Sequence, residues 1–213
     1  FQTIFKAIYA KVLYCVRYAK IRHKKTMDYY VVIPIHNEED FLQKTLDSVL
    51  EQTLAPKKVI LVNDNSTDNT ENIINEYTLK SSVFKKINSI SSAQHMPGSK
   101  VVNAFNKGLE QLDENYNFIV KLDADLILPS NYFETISNHF KLKKNLGICG
   151  GFIYEQKNNG EWVLNHPMDK DHIRGAIKAY SKDCFKSIGG LKNAMGWDTV
   201  DELLARYNGF SLH

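Results

Sequence analysis

The sequence predicts an α/β protein with a mostly parallel central sheet that is covered by helices on both faces. Two observations predict this fold. Short apolar runs rich in β-branched and aromatic residues alternate with amphipathic helical stretches from about residue 29 to residue 142, and such alternation is typical of βαβ units. The composition, with 43% hydrophobic and 24% charged residues in 213, is that of a globular domain.

The N-terminal segment, residues 1–27, differs in charge from the rest of the chain. Residues 1–25 contain seven basic residues and no acidic one, and their apolar residues recur at helical spacing. The segment is predicted to be a basic amphipathic helix that lies at a membrane surface, docks on a partner or packs on its own domain. No apolar run approaches the ~18–20 residues needed to span a bilayer.

The remainder of the chain, residues 28–213, is predicted to be one domain. Residues 26–213 hold 20 basic and 24 acidic residues, so nucleic acid is not expected as a partner. The chain begins with Phe1 and stops at His213, shortly after a predicted helix. We therefore expect it to be a piece of a longer protein, truncated at its C-terminal side.

The first part of this domain, about residues 28–130, carries the alternating pattern. Asn37 is a candidate cap for the first helix, with acidic residues in the favourable first turn. The predicted strands cover residues 29–35, 58–62, 84–90 and 117–122. The helical stripes follow at about 41–50, 73–77, 101–112 and 132–140.

The second part, about residues 131–213, has a mixed pattern. Residues 166–175 read as a loop, and a short helix near 183–188 precedes a final helix near 199–208, which Gly209 can terminate. The predicted strands of this part are 146–154, 161–164 and 176–180.

The cysteines favour a reducing compartment. Cys15, Cys149 and Cys184 are few and widely spaced, so they suggest neither a zinc site nor a disulfide framework. We expect a cytoplasmic location, peripheral on the inner face of the membrane if the N-terminal segment binds lipid.

Polar clusters follow three of the predicted strands. They are His36-Asn37-Glu38-Glu39, Asn63-Asp64-Asn65-Ser66 and Asp123-Ala124-Asp125. Ligands of open parallel sheets bind at the carboxyl ends of the strands. Each cluster alone could be a helix cap or a turn, but together they predict a binding site at one edge of the sheet.

The pair Asp123 and Asp125 is the sharpest signal. In an extended strand, residues i and i+2 face the same side, ~6–7 Å apart, and unpaired burial of a carboxylate costs several kcal/mol. Mg²⁺ is typically held by one or two carboxylates together with substrate phosphates. A divalent cation would compensate both aspartates.

These segments, in order, resemble glycosyltransferase family 2. The resemblance covers Tyr29 to Gly209 and rests on VVIPIHNEEDFLQKTLDSVLEQT, VILVNDNSTDNT, GSKVVNAFNKGL, IVKLDADLILP and GGLKNAMGWDTVDELLARYNG. It implies the GT-A fold, a nucleotide-sugar donor, a Mg²⁺ or Mn²⁺ ion and inversion at the anomeric carbon. It also implies that residues 28–130 form a nucleotide-binding half and residues 131–213 an acceptor half.

The resemblance assigns donor-binding roles to particular positions. Asp64 is expected to bind the base and Lys100 to lie near the diphosphate. Asp123 is expected near the ribose and the metal, and Asp125 is expected to ligate the metal directly. The full set of expected nucleotide-sugar contacts is Pro34, Ile35, His36, Glu38, Asp64, Lys100, Asp123 and Ala124.

Two departures from the family pattern lie in the second cluster. Asn63 stands where an acid is frequent, and Asn65 stands where glycine is frequent. They leave the identity of the base open, although a UDP-sugar is favoured.

The C-terminal stretch is expected to hold the catalytic base. The family has an acidic residue eleven positions before a glycine, which places Asp198 in that role before Gly209, and Trp197 replaces the usual glutamate. Asp201 is the reserve candidate. The alternative is that Asp198 caps the last helix and that Asp201 complements its dipole.

Gly151 and Trp197 are expected to shape the sugar and acceptor pockets. For Trp197 a position in the core is an equal alternative.

The function predicted from these residues is inverting sugar transfer to an acceptor hydroxyl, in the synthesis of a cell-surface glycan or polysaccharide. The acceptor is expected to be a glycan or a lipid-linked molecule. The alternatives are a catalytically inactive nucleotide-sugar-binding module and a sugar nucleotidyltransferase. PIHNEED lacks the glycine-rich basic loop typical of nucleotidyltransferases, which disfavours the last of these.

Overall fold

The computed structural model describes residues 8–11, 27–90, 98–165 and 172–213. The strands are β1 (Ile8–Lys11), β2 (Tyr29–Ile35), β3 (Lys58–Asp64), β4 (Phe84–Ser89), β5 (Phe118–Leu122), β6 (Leu126–Ile127), β7 (Leu146–Cys149), β8 (Phe152–Gln156), β9 (Trp162–Leu164), β10 (Ile177–Ser181) and β11 (Ser211–Leu212). The helices are α1 (Leu42–Leu50), α2 (Thr70–Lys80), α3 (Ser99–Leu109), α4 (Tyr132–Leu142), α5 (Lys182–Ser187) and α6 (Trp197–Tyr207).

The central sheet has seven strands in the order β11-β7-β10-β5-β2-β3-β4. Strands β5, β2, β3 and β4 are parallel, and β10 runs antiparallel between β5 and β7. The predicted α/β fold with a mostly parallel sheet is therefore confirmed. Both halves of the domain contribute strands to the same sheet.

Two hydrophobic cores cover the two faces of this sheet. Side chains alternate along a strand, so Val31 and Ile33 of β2 face one core while Tyr30 and Val32 face the other. Helices α1, α2 and α4 pack on the first face, and α3, α5 and α6 pack on the second. Each fully buried large apolar side chain contributes about 1.5–3 kcal/mol, so these two layers hold the strand ends in place.

A second sheet of four strands has the order β6-β1-β8-β9. Strand β1 is parallel to β6 and antiparallel to β8. The predicted N-terminal helix is therefore wrong for Ile8–Lys11, whose backbone hydrogen bonds go to neighbouring strands. Residues 1–7 and 12–26 lie outside the described residues, so a membrane contact through this segment stays a prediction.

The structure divides the predicted strand 146–154 into β7 and β8. The break falls at Gly150-Gly151, where the chain passes close to other elements. A Cβ on Gly150 would lie 2.3 Å from Ile173 Cγ2, and one on Gly151 would lie 3.0 Å from Tyr132 Cε2. Strands β6 and β11 were not predicted, because a strand of two residues has no periodicity to detect.

Two further features concern the cysteines and the length of the helices. Cys149 and Cys184 are buried free thiols, and burial raises the pKa of each to about 12. No helix in the described ranges is long and apolar enough to cross a bilayer.

Candidate active site

A cleft of about 420 Å³ opens at the carboxyl-terminal edge of the central sheet. It contains every residue predicted to contact a nucleotide sugar, together with Asp125. Its lining is Pro34, Ile35, His36, Glu38, Asp64, Asn65, Lys100, Val101, Ala104, Asp123, Ala124 and Asp125.

The position of the cleft follows from the strand order. Strand β2 lies between β3 and β5, and the chain extends first toward β3 and β4 before it returns to the other side of β2 at β5. Open α/β sheets bind ligands at such a switch point. The three polar clusters predicted from the sequence follow β2, β3 and β5, so the parallel sheet brings them together.

The loops after β2 and β3 hold each other through hydrogen bonds. The Asn37 N–H donates to Ser66 Oγ at 3.1 Å, and Asn37 Oδ1 accepts from the Thr67 N–H at 2.8 Å. Glu39 Oε2 accepts from the Asn69 N–H at 2.8 Å. These reciprocal hydrogen bonds hold the two loops together beside the residues that are predicted to contact the donor.

Asn37 does not cap α1, so that prediction is wrong. The helix begins at Leu42, and Phe41, its N-cap residue, makes no side-chain capping bond. Asn37 has a φ of 53° and uses its side chain to join the two loops. Asn65 also lies in the left-handed region, with a φ of 56°. Asparagine tolerates this conformation better than most residues, which explains how it can replace the glycine frequent in the family.

His36 and Asp64 meet at the end of β2 and β3. His36 Nδ1 lies 2.7 Å from the backbone oxygen of Asp64, and the Asp64 residue is buried. Asn63, one residue earlier, is also buried and accepts from the Ser66 N–H through Oδ1 at 3.1 Å. Asp64 therefore lines the cleft, whereas the side chain of Asn63 shapes the turn.

The turn containing Asp123 and Asp125 is held from both sides. Strand β5 ends at Leu122, and the Asp123 N–H donates to Ala176 O at 2.8 Å. On the other side, Thr45 Oγ1 of α1 donates to Ala124 O at 2.6 Å, and both groups are buried. Because the backbone of the turn is bonded in this way, the two half-buried carboxylates are presented to the cleft.

The cleft is rich in negative charge. Its lining contains the carboxylates of Glu38, Asp64, Asp123 and Asp125, and Lys100 is the basic residue among the lining groups. Burial raises the pKa of Glu38 to about 7, and the charges of Asp125 and Asp123 add to this effect. A diphosphate would be repelled by this cleft unless a cation accompanied it.

In the described part of the chain, no group of three or more His, Cys, Asp or Glu side chains is arranged to hold a metal ion. The protein oxygens at the turn could therefore supply only part of a coordination sphere.

Helix α6 places Asp198 next to the cleft but not in its lining. Gly196 is the N-cap residue, with a φ of 71°, and Asp198 lies in the first turn. A Cβ on Gly175 would lie only 2.9 Å from Asp198 Oδ2, so the carboxylate rests on this glycine. The neighbouring Ala176 binds the backbone of Asp123. Segment 174–176 thus contacts both acids.

The reserve candidate Asp201 is in a different environment. It is 1% exposed and lies 2.9 Å from the Lys178 ammonium, and the Tyr180 hydroxyl donates to it. Burial raises the pKa of Asp201, against the opposing attraction of Lys178. Glu202 lies 3.0 Å from the same ammonium. A carboxylate without access to solvent or to the cleft is poorly placed to meet an acceptor, so the geometry favours Asp198.

Trp197 and Gly151 do not line the cleft. Trp197 is 6% exposed, and its ring centroid lies 5.4 Å from Lys121 Nζ and 5.9 Å from Lys178 Nζ. Gly151 packs against the ring of Tyr132. Trp197 therefore lies in the core, which was one of the two alternatives for it. The roles of Trp197 and Gly151 toward an acceptor stay predictions.

Lys121 and Lys178 were not among the residues predicted from the sequence. Both lysines are buried in the middle of apolar strands, at 2% and 0% exposure. The signal was present in NFIVKL and AIKAY, since a charged residue inside a fully buried strand needs a compensating partner.

The model of a known protein family, Glycosyl transferase family 2, matches residues 30–198. The chain belongs to glycosyltransferase family 2. Membership of this family explains the order of the motifs. It is also consistent with the α/β fold and with a cleft at the carboxyl edge of the central sheet.

Curated relatives of this family 2 chain include a polysaccharide synthase and a teichoic acid biosynthesis protein. It is 30% identical over 132 residues to a poly-β-1,6-N-acetyl-D-glucosamine synthase of Staphylococcus epidermidis, covering 62% of this chain and 30% of the relative. It is 35% identical over 150 residues to the minor teichoic acid biosynthesis protein GgaB of Bacillus subtilis, covering 68% of this chain and 16% of the relative. The chain thus spans less than a third of each relative.

Solved glycosyltransferases have the same fold. The mannosyltransferase PcManGT of Pyrobaculum calidifontis, in complex with GDP-Man and Mn²⁺, superposes with a TM-score of 0.66 at 17% identity, covering 88% of this chain and 54% of that one. Residues 1–349 of TarS of S. aureus, in complex with UDP-GlcNAc, give a TM-score of 0.63 at 19% identity, covering 84% and 54%. The predicted GT-A fold is confirmed.

Proposed function

We propose that this chain is the catalytic GT-A domain of an inverting glycosyltransferase that moves a sugar from a nucleotide-diphosphate sugar to an acceptor hydroxyl. The observation that carries the proposal is the cleft. It brings the residues after β2, β3 and β5 together around the turn of Asp123 and Asp125. Membership of glycosyltransferase family 2 supports the reaction class.

A UDP-sugar is the favoured donor. Asp64 is buried at the cleft wall and is proposed to accept hydrogen bonds from a base, and Asp123, which also lines the cleft, is proposed to contact the ribose. Lys100 is exposed at the start of α3 and provides a positive charge for the diphosphate. TarS has been solved with UDP-GlcNAc, whereas the mannosyltransferase was solved with GDP-Man, so both bases belong in the test.

A divalent cation, Mg²⁺ or Mn²⁺, fits the residues present. Asp125 would be the direct ligand and Asp123 the second, and hard oxygen donors are what these ions prefer. The four carboxylates in the lining, of Glu38, Asp64, Asp123 and Asp125, are a reason for a cation to bind there. When bound, the ion would supply charge neutralisation for the departing diphosphate.

Asp198 is proposed as the general base. Its carboxylate is partly exposed and rests on Gly175, beside the segment that binds Asp123. As the acceptor oxygen forms its bond to the anomeric carbon, the bond from that carbon to the diphosphate breaks. The hydroxyl proton passes to Asp198, and attack on the face opposite the leaving group inverts the configuration.

The product is proposed to be a cell-surface polymer. The relatives named above synthesise poly-N-acetylglucosamine or take part in teichoic acid biosynthesis, so a glycan or a lipid-linked acceptor is expected. Residues 1–25, with their basic charge, would bring the domain to the inner face of the membrane.

The experiment measures release of nucleoside diphosphate from UDP- and GDP-sugars with Mn²⁺, with and without N-acetylglucosamine oligosaccharides. The native chain is compared with Asp198→Asn and with Glu76→Gln, a control acid exposed on α2. We expect turnover in the native chain and in the control, and a loss of about 100-fold or more in kcat for Asp198→Asn. Donor binding without any turnover would instead identify a catalytically inactive module.

A further inference from the structure

Lys121 and Lys178 face each other in the interior of the protein. They are directly paired in the antiparallel register of β5 and β10, so their side chains point to the same face of the sheet. Both are buried, at 2% and 0% exposure. Like charges directly opposite each other destabilise a sheet, and each buried ammonium must therefore be compensated by its own partners.

The charged partner of Lys121, Asp123, lies on the donor side, and its other partner, Gly175, lies in the segment beside Asp198. The Lys121 ammonium binds Asp123 Oδ1 and donates to Gly175 O at 2.8 Å. The Asp123 side chain is 36% exposed, so one end of this ion pair is buried and the other reaches the cleft. Lys121 thus fixes the carboxylate that the proposed function assigns to the donor.

The partners of Lys178 lie on the acceptor side. Its ammonium lies 2.9 Å from Asp201 Oδ1 and 3.0 Å from Glu202 Oε1, and it donates to the backbone oxygen of Asp198. All three acceptors belong to the first turns of α6. Lys178 thus anchors the end of the helix that carries the proposed base.

Trp197 joins the two sides. Its ring lies within cation–π distance of both ammonium groups. It also touches the start of α3, since a Cβ on Gly98 would lie 3.3 Å from Trp197 Cδ1. The same buried cluster therefore reaches Asp123, Asp198 and the helix that carries Lys100.

We propose that Lys121 and Lys178 are positioning residues, with Lys121 holding Asp123 for the donor and Lys178 holding Asp198 for the acceptor. This inference rests on the proposed function. The inference assigns donor binding to Lys121 and turnover to Lys178, although the two side chains are neighbours. Trp197 packs on both and keeps the two acids at a set separation.

A purely apolar core would not require this arrangement. Replacing a buried ion pair by apolar side chains of similar volume is often neutral or stabilising, and the strands around both lysines are already apolar. Each lysine instead contacts an acidic residue at the site where sugar transfer is proposed. Lys121 binds the carboxylate of Asp123, and Lys178 binds the backbone oxygen of Asp198.

The test for Lys121 uses Lys121→Met, which keeps the volume and removes the charge. Binding of UDP with Mn²⁺ is measured by calorimetry, and turnover is measured with UDP-GlcNAc and an N-acetylglucosamine oligosaccharide. We expect the Kd of UDP and the KM of the donor to rise about tenfold or more, with a smaller change in kcat.

The test for Lys178 uses Lys178→Met and the double variant Lys178→Met/Asp201→Asn. The single variant leaves Asp201 without its cation and could fail to fold for that reason. The double variant removes one charge of each sign and is used in that case. We expect kcat to fall about tenfold or more, with the Kd of UDP unchanged within twofold.

The control is Lys182→Met, which removes a lysine that binds Glu114 and lies over the Tyr116 ring, away from the cleft. This variant is expected to leave kcat and the Kd of UDP unchanged. The inference is overturned if folded variants of the two lysines keep both kcat and the Kd of UDP within twofold of the native values. It is also overturned if both variants change only kcat, or if both change only the Kd of UDP. Failure of the proposed function looks different, since the native chain itself would then show no turnover.

Discussion

The carboxylate of Asp198 rests directly on the backbone of Gly175. A Cβ at position 175 would lie 2.9 Å from Asp198 Oδ2 and 3.0 Å from Asp198 Cβ, distances that side chains do not tolerate without a shift. The absence of a side chain at Gly175 therefore determines where the proposed base can lie.

Gly175→Ala is expected to displace Asp198 and to lower kcat. A displacement of about 1 Å in a reacting group can reduce a rate by about 100-fold, so we expect a loss of 10- to 100-fold in kcat. Binding of UDP should stay within about threefold of the native value. Steady-state kinetics and calorimetry measure the two quantities separately.

Gly160→Asn is the matched control for this glycine. Gly160 lies in the turn between β8 and β9 with a φ of 84°, a conformation that asparagine tolerates, and a Cβ added there would meet no atom within 4 Å. The control should keep native kcat. A Gly175→Ala protein with native kcat would contradict the proposed role of Asp198.

Asp125→Ala is expected to abolish the effect of Mn²⁺ on donor binding. In the native protein the cation should strengthen UDP binding, because the cleft is otherwise crowded with carboxylates. Calorimetric titration of UDP in Mn²⁺ and in EDTA measures this difference, and Asp40→Ala, an exposed acid nearby, is the control. Equal UDP affinity with and without Mn²⁺ in the native protein would exclude the metal role.

Glu38→Gln is expected to change how stability depends on pH. The pKa of Glu38 is about 7 in the folded protein against an ordinary value of 4.5, first because of burial and then because of Asp125 and Asp123. Between these two pH values the folded state binds more protons than the unfolded state, so the free energy of unfolding falls as pH rises.

The glutamine variant lacks this ionisation, so it should be more stable than the native protein at pH 8 by about 1–2 kcal/mol, allowing for solvent screening of a half-exposed group. At pH 4.5 the two proteins should differ much less. Urea unfolding in EDTA at a series of pH values gives the comparison. A stability difference that is constant between pH 4.5 and pH 8 would refute the predicted ionisation.

Gly108→Ala is expected to destabilise the fold. Helix α3 crosses β2 and β3 at this glycine, where a Cβ would lie 2.4 Å from Val32 Cγ1 and 3.1 Å from Val62 Cγ2. The overpacking cost of about 1–3 kcal/mol should exceed the gain in helix propensity of about 1 kcal/mol. Urea unfolding should show a net loss, while Lys107→Ala on the exposed side of α3 should show almost none. A more stable Gly108→Ala protein would contradict the close approach.

Much of the donor side could be predicted from the sequence. The apolar runs of β2 and β3, and that of β5 apart from Lys121, are long because the strands are buried on both faces, and the polar residues after them mark where each strand ends. Parallel strands place these ends at one edge, so Glu38, Asp64 and Asp123 could be assigned to one site before any coordinates were known.

The acceptor side could be predicted only in part. Asp198 and Asp201 lie one helical turn apart, and only the resemblance to the family, through the spacing to Gly209, favoured Asp198. The structure separates them, because Asp201 points to the buried Lys178 and Asp198 rests on Gly175. That difference depends on β10 and on the segment before it, which local sequence cannot relate to α6.

The sequence by itself therefore determined the α/β class, the strand ends and the acidic turn of Asp123 and Asp125, since these follow from periodicity within short segments. The tertiary structure alone decided the strand at Ile8–Lys11, the loop-joining role of Asn37 and the cluster of Lys121, Lys178 and Trp197. Each of these depends on hydrogen bonds or ion pairs between segments distant in sequence, and such contacts have no local periodicity from which they could be inferred.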